Sequence, residues 1–385
     1  MISEATSVGL EYSTKRPSMA DHPNLLKAFL EKTTPRIQKA FETANDVSRL
    51  IHHPRDRTAF LDCAEPMNLS NDRVKDSISI LYHQNLTTRS HEDLHTWLSG
   101  VLTNHVTCLD GLEEGSSNNY TKILMESHLS ELILRARTSL AIFVTLFPSK
   151  SKVIEPVTGD FQTWVTAGDR RLLQSLEKEI KPDFVVVQIG SGDCKTLNEA
   201  VAAIPDKSKK RDCTITGTID FIFGNAAVVL QNCKIIPRKP MTAQKNMITS
   251  QGQTDPNQKT GTSIQNCEIF ASADLEPAKD TFETYLGRPW KKWSRTVVME
   301  SYIGDVIDPA GWYKWDGDFA LETLFYGEYR NRGPGSGTSA RVKWPGYHVI
   351  TSPAVAEQFT VAELIQGGSW LESTGVPYTE GFVYT

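Results

Sequence analysis

One carboxylate, Asp220, stands inside the run Gly217-Thr218-Ile219-Asp220-Phe221-Ile222-Phe223-Gly224-Asn225. Its neighbours are β-branched and aromatic, so the segment reads as extended, with a Gly-Asn turn at its end. A carboxylate on such a strand loses water, which leaves either a strained anion or a proton carrier. Either state serves chemistry and is costly where no chemistry is done. A surface Asp at a strand end is the other reading of these residues alone.

A second cluster is Tyr285-Leu286-Gly287-Arg288-Pro289-Trp290. In an extended chain, residues two apart share a face, which sets the Arg288 cation beside the Trp290 indole. A guanidinium can grip a carboxylate through two N–H bonds, and an indole face stacks on a sugar. A turn that only packs is the alternative. The six cysteines are Cys63, Cys108, Cys194, Cys213, Cys233 and Cys267. They are too sparse for a disulfide scaffold, and none forms a CxxC metal pair, so no metal site is read.

These groups need elements to hold them, and the chain has two textures. From about Asn24 to Phe147 it reads as helices. Leu94, Trp97, Leu98, Val101, Leu102, His105, Cys108 and Leu109 recur at helical spacing. Ser90 is the N-cap by pattern, with Asp93 in the capping-box position. Segments of this kind with short polar breaks predict an antiparallel four-helix bundle over 24–150. Residues 151–181 form a linker. It carries the basic pair Arg170-Arg171, which is either solvated charge or a processing site, because nicking concentrates in exposed linkers.

Over 182–385 short apolar runs alternate with Gly, Asn and Asp. Phe184-Val185-Val186-Val187 and Thr296-Val297-Val298-Met299 are strand signals. Gln231-Asn232-Cys233 recurs as Gln265-Asn266-Cys267. Short strands with recurring turn tripeptides predict a β-solenoid, with a β-sandwich as the alternative. Adjacent coils would bring Cys233 and Cys267 within bridging distance, or leave both as buried thiols.

The formal net charge is −5, which gives no basic face for nucleic acid. A neutral or esterified polymer would meet little repulsion. No run of 18 apolar residues exists, so no membrane span is expected. The segment Met1 to Pro23 lacks the basic-then-apolar pattern of a signal peptide. Three sequons, Asn68-Leu69-Ser70, Asn85-Leu86-Thr87 and Asn119-Tyr120-Thr121, point weakly toward secretion.

Taken together, the motifs resemble plant pectinesterases that carry an N-terminal pectinesterase-inhibitor-like domain. The resemblance rests on Gly190-Ser191-Gly192-Asp193, the run around Asp220, both Gln-Asn-Cys repeats and Gly252-Gln253-Thr254-Asp255-Pro256-Asn257. It continues through Leu286-Gly287-Arg288-Pro289-Trp290, Asp308-Pro309-Ala310-Gly311-Trp312 and Trp344-Pro345-Gly346-Tyr347-His348. The helical half is similar to the inhibitor-like domain at Thr96-Trp97-Leu98-Ser99 and Thr107-Cys108-Leu109-Asp110-Gly111.

The resemblance implies a right-handed parallel β-helix for the C-terminal half. It implies hydrolysis of methyl esters of pectin homogalacturonan, with release of methanol, in the cell wall after secretion. Asp220 matches the nucleophile, Arg288 the residue orienting it, and Trp290 a sugar-stacking residue. Cys63 and Cys108 match a family disulfide. Arg170-Arg171 matches the processing site. No cofactor is implied, and the partners implied are pectin and an inhibitor-domain contact within or between chains.

The chain departs from the family between Lys209-Lys210-Arg211 and Asp212-Cys213. There the family carries a block of several coils that is absent here. That block holds the second catalytic Asp, a general acid, and the Gln residues that stabilise the oxyanion. Asp212 is a poor substitute, since a stacked partner of Asp220 would need a full coil between them. Two classes of function follow: an esterase acting through Asp220, or a catalytically inactive protein that binds pectin or another pectinesterase.

Overall fold

The computed structural model describes residues 22–51, 54–82, 87–115, 119–147 and 213–383. Arg170, Arg171, Cys194, Asn85, Asp212 and the Phe184–Val187 strand signal lie outside the described residues.

The N-terminal half holds five helices among the described residues, one more than the four expected: α1 (His22–Glu31), α2 (Thr34–Leu50), α3 (Pro54–Tyr82), α4 (Thr88–Gly115) and α5 (Asn119–Leu146). Packing runs α2 on α3, α3 on α4 and α4 on α5, with α5 returning to α2 and α1 lying against α3 and α5. Leu94, Leu98, Val101, Leu102 and Leu112 of α4 are all buried, as their spacing requires. The cap of α4 is not Ser90. The Ser90 N–H donates to Thr87 Oγ1 at 3.1 Å, so the helix begins three residues earlier. Asn68 is exposed on α3, and Asn119 is the first residue of α5.

Cys63 on α3 and Cys108 on α4 form a disulfide. Their Cα atoms are 4.9 Å apart, well within the span such a bridge needs. Beside them His105 is fully buried. Burial pushes its pKa down to about 4. The unfolded chain binds a proton near pH 6.5, the folded one near pH 4, so the unfolded state gains protons first as pH falls. Stability present above pH 6.5 is therefore lost progressively toward pH 4, by about 3 kcal/mol. His105→Leu is expected to flatten that dependence. Thermal unfolding followed by helical circular dichroism at several pH values checks this, and an equal acid sensitivity in the variant would refute it.

Among the described residues the C-terminal half holds twelve strands: β1 (Thr214–Gly217), β2 (Ile222–Gly224), β3 (Ala227–Gln231), β4 (Lys234–Pro237), β5 (Asn246–Gln251), β6 (Gly261–Gln265), β7 (Glu268–Ile269), β8 (Thr284–Gly287), β9 (Arg295–Met299), β10 (Tyr302–Ile303), β11 (Phe325–Tyr329) and β12 (Tyr347–Val349). They form three sheets in the orders β1-β4-β7-β10, β2-β5-β8 and β3-β6-β9-β11-β12. The strand pairings are parallel. A chain that visits each face in turn and then returns beside its starting strand is the stacking of a parallel β-helix, not a sandwich.

Inside, like residues stack. Ile235, Ile269 and Ile303 are aligned on β4, β7 and β10 and are completely buried. The Gln-Asn-Cys repeats occupy one corner. Gln231 Nε2 donates to Gln265 Oε1 at 2.9 Å, and Asn266 Nδ2 to Asn232 Oδ1 at 2.7 Å. Asn232, Asn266, Glu300 and Arg330 take φ of 59°, 50°, 53° and 48°. Each marks the same bend in its coil, and Asn tolerates that left-handed geometry better than most residues. Cys233 and Cys267 follow the bend and are buried thiols, not a bridge. Cys267 Sγ donates to Leu230 O at 3.2 Å, and Cys233 Sγ to Gln231 O at 3.4 Å, so each thiol is turned to a backbone carbonyl.

Candidate active site

Asp220 does not sit on a strand, contrary to the pattern. It occupies the bend between β1 and β2, with φ of 51°. Asp can accept that conformation because its short polar side chain bonds locally. The bend turns the carboxylate out of the coil toward the end of β8, two coils further along. There Arg288 Nε donates to Asp220 Oδ1 at 2.9 Å and Nη2 to Oδ2 at 2.5 Å. This two-nitrogen grip fixes both oxygens in one plane. The side chains are about a fifth exposed, 23% for Arg288 and 21% for Asp220. They are therefore shielded yet reachable.

The backbone explains why Arg288 points there. Its N–H donates to Thr249 O at 3.0 Å, which continues the β5–β8 ladder one residue past Gly287. The guanidinium is backed by the Trp315 ring, 4.4 Å from its centroid. A cation held between a carboxylate and an indole face has little freedom to swing away.

Trp290 follows Arg288 by two residues. Its ring meets Phe223 edge-on, with centroids 6.3 Å apart and planes at 77°. Phe223 is 71% exposed, which marks a surface kept apolar at a cost in solvation. Gly252 runs under Trp290 so closely that a Cβ there would lie 2.8 Å from the ring. The glycine of that motif lets the indole lie flat on the coil. Trp315 thus stands against Arg288, and Phe223 and Trp290, three and two residues from Asp220 and Arg288 in sequence, stand against each other. Sequence patterning placed Trp290 here but assigned no role to Phe223 or Trp315. Phe223 was visible as an outward aromatic in a short strand, whereas Trp315 sits in a loop with no periodic signal.

Among the described residues, the hydrogen-bond partners of the Asp220 carboxylate are the Arg288 nitrogens. No group of three or more His, Cys, Asp or Glu among the described residues is placed to hold a metal. No described helix is long and apolar enough to cross a membrane.

One face of α4 lies against the same rim. His95 Nε2 meets Asn257 O at 2.7 Å, and Ser99 Oγ accepts from the Lys259 N–H at 2.9 Å. Thr103 Oγ1 donates to Asn225 O at 3.2 Å, and Asp110 pairs with Lys291 at 3.1 Å. Glu92 pairs with Lys259. These α4 positions recur every three to seven residues, the spacing of one helical stripe. Asn225 and Lys291 are close in sequence to Phe223 and Trp290, so the helix borders the aromatic rim.

Comparison with known proteins matches each half to its own family profile. Residues 210–368 match the family profile described as Pectinesterase, and residues 10–142 that described as Plant invertase/pectin methylesterase inhibitor. A Pectinesterase/pectinesterase inhibitor of Ficus pumila var. awkeotsang is 61% identical, over 99% of this chain and 89% of the relative. Pectinesterase 2.1 of Solanum lycopersicum is 40% identical, over 94% of this chain and 86% of the relative. A solved pectin methylesterase from carrot is 37% identical with a TM-score of 0.44, covering 54% of this chain and all of that one. The chain belongs to the pectinesterase family, which are carboxylic ester hydrolases. The alignment to the Ficus protein runs over 493 positions, more than the 385 residues here, so that relative carries residues with no counterpart in this chain.

Proposed function

We propose that the chain is an aspartyl esterase acting on methyl esters of pectin homogalacturonan, with Asp220 as the nucleophile. The observation that carries this is the two-nitrogen grip of Arg288 on Asp220, backed by the Trp315 ring. A carboxylate oxygen attacks the ester carbonyl and expels methanol, leaving an acyl-enzyme that water cleaves. Arg288 sets the direction of attack and carries the charge of a uronate. Trp290, with Phe223 and Trp315, offers the apolar faces on which sugar rings stack. The product acid is released to an extracellular wall matrix. The two halves are read as an inhibitor-like helical bundle and a right-handed β-helix, joined through 151–181. The α4 stripe against the rim supports an inhibitor-like role for that bundle within the chain.

A second reading has one observation in its favour. No second carboxylate is among the hydrogen-bond partners of Asp220 in the described residues. In that reading the chain binds pectin, or another pectinesterase, without turning it over. Methanol release from highly methylated pectin by purified protein separates the two. Asp220→Asn is expected to lower release by at least about 10³-fold, the scale on which a lost nucleophile acts. Equal release from Asp220→Asn would remove Asp220 from the mechanism. Pectin binding by both proteins with no release from either would establish the second reading.

A further inference from the structure

A cavity of about 300 Å³ lies at the seam between the two halves, and its lining shares no residue with the Asp220–Arg288 pair. The start of α4 and the end of α5 form one wall. The loop between β5 and β6, with the first residue of β9, forms the other. The volume falls at the lower end of the range for small-ligand sites. The motif Gly252–Asn257, which supplies no group to the ester chemistry, runs into this wall at Pro256 and Asn257.

The helical wall is aromatic. His91 and His95 each lie against Phe143, with ring centroids 4.8 Å and 5.0 Å apart, and Phe147 lies 5.5 Å from Phe143. His91 Nε2 donates to Phe147 O at 3.0 Å, and His95 Nε2 to Asn257 O at 2.7 Å. A carbonyl can only accept, so each Nε2 carries a proton, and in the neutral ring Nδ1 is left as an acceptor. Burial lowers the His95 pKa, which keeps that ring neutral at pH 7. Apolar ring faces flanked by acceptors suit a sugar, which offers C–H faces and hydroxyls.

The opposite wall carries two cations. Lys259 is paired with Glu92. Arg295 is held from behind: its backbone N–H donates to Gln251 Oε1 at 2.8 Å, and its guanidinium lies 4.4 Å from the centroid of the Phe359 ring. Its stem runs over Gly261, where a Cβ would lie 3.5 Å from Arg295 Cγ and Cδ. Among the described residues no carboxylate pairs with this guanidinium. Burial pulls its pKa down to about 10, with no neighbouring charge to offset that. A part-buried guanidinium with no anion beside it is what a carboxylate ligand would satisfy, through two N–H bonds.

We propose that the seam cavity binds a uronic acid sugar, with Arg295 gripping the carboxylate and the His91–Phe143–Phe147 wall holding the ring. The sugar class rests on the esterase reading above, in which a methyl ester attacked by Asp220 becomes a uronate. The acid formed at one site is then the ligand at the other. One wall comes from each half, so the ligand's binding free energy adds to the contact between them. Accumulated acid holds the inhibitor-like bundle on the β-half, a brake set by product.

Titration calorimetry of the full chain with galacturonate tests this without needing turnover. Binding is expected in the parent protein and is expected to persist in Arg288→Ala, whose ester site has lost its clamp. It is expected to weaken at least about 10-fold in Arg295→Gln, the scale of a hydrogen bond to a charged group. Val144→Trp fills the cavity from the helical wall and leaves the guanidinium in place. Val144 is 37% exposed and lines the cavity, so this change spares the core. The same loss in Val144→Trp would show that the Arg295→Gln result is not one of unfolding. The methyl ester of galacturonate is expected to bind at least about 10-fold more weakly than the acid. No binding by the parent, full binding in Val144→Trp, or loss in Arg288→Ala would each overturn the site. Equal affinity for the methyl ester or for inorganic phosphate would overturn the uronate assignment. Methanol release tests the esterase reading separately: a chain that binds galacturonate at the seam but releases no methanol keeps the site and loses the brake.

Discussion

Insertion of the family's absent block between Arg211 and Asp212 is expected to raise methanol release from methylated pectin by at least about 10²–10³-fold, the worth of the oxyanion donors alone. The resemblance places two kinds of group in that block: a general acid and the Gln side chains facing the developing oxyanion. What this chain retains is the proposed nucleophile Asp220 and its clamp Arg288, at 2.9 Å and 2.5 Å. Attack by a carboxylate on an ester is reversible, and methoxide leaves poorly unless it is protonated as it departs. Without an acid, the tetrahedral intermediate returns to substrate more often than it goes forward. Restored acid–base help adds roughly another 10²–10⁴-fold. Asp220→Asn in the restored protein should then return release to background. Equal rates with and without the block would mean that another residue protonates the leaving group. Unchanged binding of pectin by the two proteins would show that the block supplies chemistry and not affinity.

The parts of this site that sequence patterning reaches are those with local regularity. The α4 core is readable because Leu94, Leu98, Val101 and Leu102 obey a 3.6-residue period, and all four are buried. The pattern misplaces its cap, because Thr87 and Ser90 are both good cap residues and their hydroxyls lie only 2.7 Å apart. The Asp220–Arg288 pair spans 68 residues, a distance over which no periodicity speaks. It could be named only because the motifs resemble a family. Even so, the pattern puts Asp220 on a strand, since its β-branched and aromatic neighbours outweigh a single residue's capacity to take φ of 51°. The polar stripe of α4 that meets Asn257 and Lys259 looks, in sequence, like any solvated helix face.

Glu328→Ala is expected to cost about 3–5 kcal/mol, the price of breaking a buried ion pair from one side. Set against a typical total stability of about 5–15 kcal/mol, that is enough to threaten the fold of the β-half. Glu328 shares one face of β11 with Tyr326, which is fully buried; the glutamate is 2% exposed and its partner Arg341 1% exposed. The carboxylate accepts four hydrogen bonds. Arg341 donates to Oε1 at 2.8 Å and Oε2 at 3.1 Å, while Trp312 Nε1 and the Tyr347 hydroxyl reach Oε1 at 3.2 Å and 3.0 Å. Burial, and then the Glu328 charge, push the Tyr347 pKa upward, so this hydroxyl stays protonated and donates. The arginine is satisfied at its far side by Pro309 O at 3.1 Å and Gly335 O at 2.6 Å. It passes over Gly311, where φ is 72° and a Cβ would lie 2.3 Å from Arg341 Cδ. The Asp-Pro-Ala-Gly-Trp motif is thus a cradle for one guanidinium, with Pro309, Gly311 and Trp312 each shaped to it. Removing the carboxylate strands a cation, an indole N–H and a hydroxyl in a dry core. Removing both charges with Glu328→Met and Arg341→Met should cost less than the sum of the single changes, because no lone charge remains, though the indole and hydroxyl still lose partners. Denaturant midpoints read by tryptophan fluorescence for the four proteins would measure this coupling. A Glu328→Ala midpoint equal to that of the parent would mean that water reaches Arg341, and the closed network would be wrong.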